Sequence, residues 1–256
     1  MVGSLLLRGM LAGIVAGMLC FGFLKIAGEP QVDRAIAFET RMDAARDQAE
    51  RAQGIAVPAE MPELVSRRVQ AGLGLLTGVL VYSAAFGGIF SLVFAFVHGR
   101  VGKAGPRTMS ALLALAGFVA VYLVPDLKYP ANPPSVGSPG TIGMRTTLYF
   151  EMIVISLAAM VGSVMLRRRL LARHGGWNAS LLAAAAYVAV MAAIGLALPA
   201  IDEVPGGFPA TVLWQFRIAS IGAQLIMWTT IGLGFGVLAE RAAVKQNHLQ
   251  LRAAHF

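Results

Sequence analysis

Six acidic residues have side chains and positions that would suit the binding of a metal cation. They are Glu29, Asp33, Asp126, Glu151, Asp202 and Glu203. Carboxylates are suitable ligands for hard and borderline divalent cations. Five of the six recur in one setting, near Pro30, Pro125 or Pro205 and just after an apolar run. This recurrence favours a path for cations, although each carboxylate taken alone is also compatible with ordinary solvation at the surface.

Glu151 differs from the others because it lies within an apolar run, near 147–166, about one turn from its start. An ionisable side chain inside a membrane helix is costly, and by default it marks an ion path or a buried pair. Asp126, at the end of the preceding apolar run, could stand close to it. The alternative is a carboxylate at the membrane interface that pairs with Arg145 or Lys128.

The sequence has no motif for the other common chemistries. A glycine-rich nucleotide loop and a His-Glu-x-x-His zinc motif are both absent. We therefore predict no enzymatic activity, no ATP hydrolysis and no permanently bound cofactor. Cys20 is the single cysteine, so no disulfide can form within the chain. The histidines are too scattered to form a metal motif and lie at His98, His174, His248 and His255.

The composition is that of a membrane protein. Hydrophobic residues make up 57% of the 256 residues and charged residues only 13%, with a mean hydropathy of +0.70. Soluble domains carry about 25% charged residues, whereas helices that face lipid need no polar coat. The net charge of +8 comes from clusters between apolar runs rather than from one basic face. We therefore expect membrane lipid, not nucleic acid, as the surrounding partner.

The apolar runs predict an all-α polytopic protein with six transmembrane helices arranged as three hairpins. A span needs roughly 20 apolar residues. We interpret the first run as a retained span rather than a signal peptide, because its apolar core is longer than a usual signal core. The chain 1–256 is then a single membrane domain. Its spans lie near 5–27, 71–97, 108–125, 147–166, 178–199 and 218–240.

Lysine and arginine residues indicate how these spans are oriented. They are concentrated in the connections 98–107 and 167–177 and in the tail after residue 240. The other connections carry acidic and basic residues in similar numbers. Basic residues mark the cytoplasmic side of a membrane protein. With six spans, both basic connections and both termini are predicted to be cytoplasmic.

The long outer loop 28–68 is predicted to contain an extra helix at the membrane surface. Residues 30–53 have no internal glycine or proline after Pro30, and oppositely charged residues occur at helical spacing, as in Arg46 with Glu50. Gly54 and the following prolines, Pro58 and Pro62, are expected to end this helix.

Glycines spaced four residues apart predict close contacts between the spans. Small residues on one face let a second helix backbone approach within a membrane. This spacing favours static close packing over a moving seam between helices. It occurs at Gly9, Gly13 and Gly17, again at Gly74 and Gly78, and again at Gly232 and Gly236.

Seven short segments across nearly the whole chain give it a specific resemblance to one known family. They read LLRGMLAG at 6–13, GEPxxDRA at 28–35, YLVP at 122–125, KYPxNPP at 128–134, GxRT at 143–146, EVPxxFP at 203–209 and LWxFR at 213–217. With these segments the chain resembles the CbtA family of probable cobalt transporter subunits.

The resemblance implies a permease subunit in a bacterial inner membrane that takes up cobalt or a similar divalent metal. It also implies a small single-span partner subunit that carries histidines, which fits the scarcity of histidine in this chain. Assembly as a homo- or hetero-oligomer stays open. The alternative function is an integral membrane scaffold that transports nothing itself and serves a larger complex.

Overall fold

The computed structural model describes residues 2–56 and 64–253, and this part of the chain is all-helical without β-strands. Pro58 and Pro62 lie outside the described residues. The helices are α1 (Val2–Phe23), α2 (Glu29–Ala52), α3 (Arg67–Val69), α4 (Leu75–Val97), α5 (Pro106–Gly117), α6 (Val124–Lys128), α7 (Ile142–Ala197) and α8 (Ala210–Ala253). Short π-helical turns at Leu24–Gly28, Gln70–Gly74 and Phe118–Leu123 join α1 to α2, α3 to α4 and α5 to α6.

Five of the resulting continuous helices are long and apolar enough to cross a membrane, rather than the six that the sequence predicted. The reason is that the predicted span 147–166 and nearly all of the predicted span 178–199 fall within α7, which has 56 residues and ends at Ala197. The third helix also differs, because it continues through Pro125 to Lys128 instead of ending at the proline. The qualifying helices are Gly3–Ala52, Arg67–Val97, Pro106–Lys128, Pro139–Ala197 and Ala210–Lys245.

Helix α7 turns back on itself at Gly175. This residue has φ 70° and ψ 172°, which is not a helical conformation and which glycine adopts more readily than other residues. In a straight helix, Ser156 and Tyr187 would be about 46 Å apart. Their hydroxyl oxygens are instead 2.7 Å apart. The two halves of α7 therefore pack against each other as an antiparallel hairpin.

Helix α2 has the extent that the sequence predicted for the helix of the loop 28–68. It runs from Glu29 to Ala52 and is followed by Gly54, which has a φ of 73°. A residue in this left-handed region commonly ends a helix. The structure adds that α2 continues from α1 through the π-helical turn Leu24–Gly28 rather than starting after a break.

The chain divides into two compact units. The first consists of Met1–Leu115, Pro133–Ser135 and Pro209–Phe256, and the second of Ala116–Asn132 and Val136–Phe208. In the first unit, Ile231 and Phe235 of α8 are fully buried. The Phe235 ring makes edge-on contacts with the rings of Phe90 and Phe94 on α4, with centroids 5.7 and 5.0 Å away. Such aromatic pairs contribute about 0.5–1.5 kcal/mol each beyond burial of area.

Glycine allows α1 and α4 to approach closely within the first unit. A Cβ atom at Gly9 would overlap the carbonyl oxygen of Gly87, and one at Gly13 would overlap that of Ser83. The glycine spacing of α1 is thus a packing face. Gly78 has no neighbouring atom within 4 Å of a Cβ position, so α4 contributes Gly87 to this contact rather than the Gly74 and Gly78 pair. On α8, Cβ atoms at Gly232 and Gly236 would meet residues of α5.

In the second unit, the core lies between the two halves of α7. Met152 from the first half packs with Tyr187 and Met191 from the second, and all three are buried. The Ser163 hydroxyl also donates to the Ala183 carbonyl oxygen at 2.6 Å. This hydrogen bond and the one between Ser156 and Tyr187 satisfy hydroxyl groups that would have no access to water in a membrane.

Many large apolar side chains on the helices remain exposed, among them Ile89 at 59% and Leu196 at 88%. A soluble protein rarely exposes so many large apolar side chains along its helices. In a bilayer the same side chains contact acyl chains. The exposed surface therefore agrees with the composition in indicating a membrane protein.

Candidate functional site

Glu29 and Asp33 lie one turn apart at the start of α2 and share one arginine. This spacing places both carboxylates on one face of the helix. Arg67, at the start of α3, contacts the Glu29 carboxylate through Nη2 and donates from Nε to Asp33 Oδ1 at 3.0 Å. Glu29 is 11% exposed and Asp33 61%. The arrangement joins α2 to the helix that begins at Arg67, and it leaves one net negative charge.

Asp126 lies in α6 and is buried, with 7% of its surface exposed. Its Oδ1 accepts a hydrogen bond from the backbone N–H of Ala131 at 3.2 Å. The carboxylate therefore stabilises the turn that follows the helix. A buried carboxylate needs such partners because loss of its hydration is otherwise unfavourable.

Glu203 holds two loops of the second unit together. Its Oε2 accepts hydrogen bonds from the Ser138 backbone N–H at 2.7 Å and from the Thr141 hydroxyl at 2.8 Å. Arg145 Nε lies 3.6 Å from the same oxygen. The hydrogen bond from Ser138, together with the one from Thr141 and the charge of Arg145, holds the pKa of Glu203 below its ordinary value. The neighbouring Asp202 is exposed.

Glu151 is exposed on α7, beside an open groove of about 510 Å³ that is also lined by Thr147, Phe150 and Val154. Among the described residues, its carboxylate has no hydrogen-bond or salt-bridge partner. Its charge is nevertheless felt by a neighbour. Burial raises the pKa of the Tyr129 phenol, and the negative charge of Glu151 raises it further.

The two cations that the sequence offered as partners for Glu151 have other partners in the structure. Arg145 is directed towards Glu203, and Lys128 Nζ donates to the Leu198 carbonyl oxygen at 2.9 Å. Glu151 is therefore a carboxylate within an apolar helix that neither of these two cations neutralises.

The structure does not gather the six predicted carboxylates into one cluster. Glu29 and Asp33 belong to the first unit and the other four to the second. Within the ranges 2–56 and 64–253, no group of three or more His, Cys, Asp or Glu residues could hold a metal ion. The assignment of all six carboxylates as metal ligands remains a prediction. Four of them already contact other protein groups, whereas Glu151 and Asp202 are exposed and have no hydrogen bond or ion pair among the described residues.

Sequence reasoning missed the importance of Arg67 and Tyr129. A signal for Arg67 existed, since it stands just before an apolar run, in a connection whose acidic and basic residues are similar in number. The carboxylates of Glu29 and Asp33 lie one turn apart on one helix face, and a basic residue such as Arg67 can pair with both. Tyr129 carries no comparable signal, because its proximity to Glu151 depends on the contact between α6 and α7.

Comparison with protein families decides what kind of protein carries these carboxylates. The family model for a probable cobalt transporter subunit, CbtA, matches residues 2–240. The chain belongs to the CbtA family. This confirms the resemblance that the seven short segments indicated. No curated protein and no solved structure matches the chain.

The range matched to the CbtA family contains all six candidate carboxylates and reaches Glu240 in the last apolar helix. The family's description gives this membrane protein a role in metal transport, with cobalt as the transported substrate. Because the family is described as a transporter subunit, its description also implies partner subunits.

Proposed function

We propose that this CbtA chain is a permease subunit that moves a divalent transition metal, cobalt, into the cytoplasm and that it acts as neither an ATPase nor another enzyme. The family membership supports metal transport. The membrane potential can supply the driving force for such a dication, because each elementary charge gains about 2.3 kcal/mol per 100 mV.

The proposed topology has six crossings in a bacterial inner membrane, arranged as three hairpins in a single domain, with both termini in the cytoplasm. Support for six comes from the turn at Gly175, which divides α7 into two apolar segments that pack side by side. Arg168, Arg169 and Arg173 lie just before this turn and are exposed, as expected for a cytoplasmic connection. Helix α2, rich in charge, would lie outside at the membrane surface.

The observation that carries the proposal is the unpaired carboxylate of Glu151. Within an apolar helix, an ionised carboxylate without a partner is unfavourable. A metal dication that passes along this face of α7 would supply the missing positive charge. The carboxylate would in turn offset part of the hydration that the metal loses. Thr147, one turn earlier on the same groove, adds a hydroxyl oxygen, whose hydrogen is donated to the Gly143 carbonyl oxygen at 3.0 Å.

Asp202, Glu203, Asp126, Glu29 and Asp33 are proposed as the outer carboxylates that first attract the metal. Asp202 is exposed and best placed to do so, whereas the other four would have to exchange existing contacts for the metal. We also propose that imidazole ligands come from a small single-span subunit that carries histidines. This fits the absence of a cluster of three metal-ligating side chains in the part of the chain that the structure describes.

A scaffold function is the second candidate, and one observation favours it. Four of the six carboxylates are engaged in contacts that hold the protein's own elements together, such as the bonds of Glu203 to Ser138 and Thr141. These would be the expected features of a stable docking surface in a larger complex.

Cobalt uptake by proteoliposomes separates the two functions. The purified chain would be reconstituted alone, without ATP, and a potassium diffusion potential, negative inside, would be imposed. A permease subunit should take up cobalt faster than empty liposomes, and uptake should fall when the potential is abolished. Uptake equal to that of empty liposomes, both alone and after addition of the partner subunit, would favour the scaffold.

A further inference from the structure

The first unit contains a groove where α1 passes into α2, and α8 forms its opposite wall. The groove has a volume of about 610 Å³, which is within the usual range for sites that bind small molecules. One end is apolar and is lined by Phe23, Ile26, Trp214 and Ile218. The other end is polar and is lined by Gln31, Arg34 and Gln215.

The polar end carries a positive charge that its hydrogen-bond partners do not neutralise. Arg34 Nη1 donates to Gln31 Oε1 at 3.1 Å and to Gln215 Oε1 at 3.2 Å. Both acceptors are neutral amides, and their oxygens face the arginine. Their NH₂ groups and the remaining guanidinium N–H groups are donors. A group of donors around one cation is complementary to an anion that has several oxygens, such as a phosphate.

The apolar end offers a surface on which an acyl chain can lie. Ile26 is 80% exposed and Trp214 65%. Phe23 forms the wall beside them because Gly222 leaves room for its ring, and a Cβ at Gly222 would be 2.6 Å from Phe23 Cζ. Ile26 lies in the π-helical turn Leu24–Gly28. Such turns widen a helix locally and are frequent at functional sites.

The order of these residues along the helix matches the order of groups in a membrane lipid. Phe23 and Ile26 belong to the apolar part of the helix, whereas Gln31 and Arg34 belong to the charged part that begins at Glu29. In a bilayer, this order would place the groove across the level at which hydrocarbon gives way to headgroups. Trp214 is adjacent in the chain to Gln215 of the polar end, and tryptophan is enriched at the membrane interface.

We propose that this groove binds one anionic phospholipid. Its phosphodiester would accept hydrogen bonds from Arg34 and Gln215, and one acyl chain would lie along Phe23, Ile26 and Ile218. The proposal is independent of metal transport, since it uses none of the six candidate carboxylates. Its consequence is that the junction of α1, α2 and α8 would be stabilised by lipid of a particular charge.

Native mass spectrometry of the purified, delipidated chain would test the charge preference. Phosphatidylglycerol and phosphatidylcholine with the same acyl chains would be added at equal concentrations. We expect the wild type to bind phosphatidylglycerol about tenfold more tightly, a difference of about 1.4 kcal/mol. Arg34→Gln should lose this preference and Arg34→Lys should retain most of it. Arg41→Gln is the matched control, because Arg41 is exposed on the same helix and donates to its own helix at Ala37.

Equal binding of the two lipids by the wild type, or an unchanged preference in Arg34→Gln, would overturn the proposal. A second experiment does not depend on changing Arg34. A photoreactive amino acid placed at Ile26 would be activated in cell membranes, and the mass of the adduct would be measured. A phospholipid adduct supports the proposal. An adduct with a polypeptide would identify the groove as a protein interface and would also overturn it.

Discussion

Two arginines determine the surroundings of three candidate carboxylates. Arg67 contacts both Glu29 and Asp33, and Arg145 approaches Glu203. A metal that bound at these carboxylates would have to compete with a guanidinium group that is already in place. Such competition is weaker at Glu151, whose carboxylate is unpaired among the described residues. This contrast is the reason for assigning the central role to Glu151.

The bonds of Glu203 predict a dependence of stability on pH. The pKa of Glu203 is lower in the folded protein than its ordinary value, so its contribution to stability is present above the ordinary value of about 4.3 and is lost as the pH falls through the folded value. Glu203→Gln should therefore lower the melting temperature at pH 7, and its difference from the wild type should shrink below about pH 4.3. Melting in detergent across this range would measure both effects.

Asp202→Asn is the matched control for this prediction, because Asp202 is adjacent and exposed. It should leave the melting temperature close to that of the wild type at both ends of the pH range. A Glu203→Gln protein as stable as the wild type at pH 7 would mean that the contacts of Glu203 do not hold the loops together.

The types of the candidate residues could be predicted from the sequence, but their partners could not. Glu29 and Arg67 are 38 residues apart in the chain, and Ser138 and Glu203 are 65 apart. Sequence spacing identifies neighbours on one helix, within three or four positions. It carries no information on which helix ends meet.

At the scale of the helices, apolar runs predicted the location of the long helices well. In lipid the backbone has no water to bond with, so an apolar segment that enters the membrane forms a helix that satisfies its own N–H and C=O groups. What the apolar runs did not predict is continuity. The charged helix α2 continues from α1 through a π-helical turn, and no residue signals this turn. Gly175 looks like an ordinary loop glycine in sequence, yet it is the residue whose φ of 70° and ψ of 172° interrupt α7.

The close contact of α1 with α4 predicts that Gly13→Leu will disrupt the protein. A side chain there would push against the backbone of Ser83, which cannot move aside as a flexible side chain would. Overpacking of this kind typically costs about 1–3 kcal/mol, and occasionally more. The folded yield after extraction and the melting temperature in detergent should both fall.

Gly22→Leu provides the matched control on the same helix, because a Cβ at Gly22 has no neighbouring atom within 4 Å. It should express and melt like the wild type. If Gly13→Leu had the same folded yield and melting temperature as Gly22→Leu, the close packing of α1 against α4 would be contradicted.

At the scale of the whole molecule, the balance of charge predicts which side each connection faces. A reporter fused after Arg252 should be active in the cytoplasm. Reporters inserted near Pro134 or Gly206 should instead be active on the outer side. These positions test the six crossings directly, because a single crossing by α7 would place the Pro134 and Gly206 loops on opposite sides, whereas two crossings place both outside. A tail and a Gly206 loop on the same side would contradict the proposed topology.

The most direct test of metal transport is the initial rate of cobalt uptake by cells that express Glu151→Gln. This change removes the charge and keeps the shape of the side chain, so we predict a rate reduced about tenfold or more, which corresponds to at least about 1.4 kcal/mol, at a normal protein level. Glu151→Asp should retain much of the uptake because it keeps the charge. Asp43→Asn, on the exposed face of α2, should transport like the wild type. Uptake by Glu151→Gln at the wild-type rate would contradict the account, because the metal would then pass without this carboxylate.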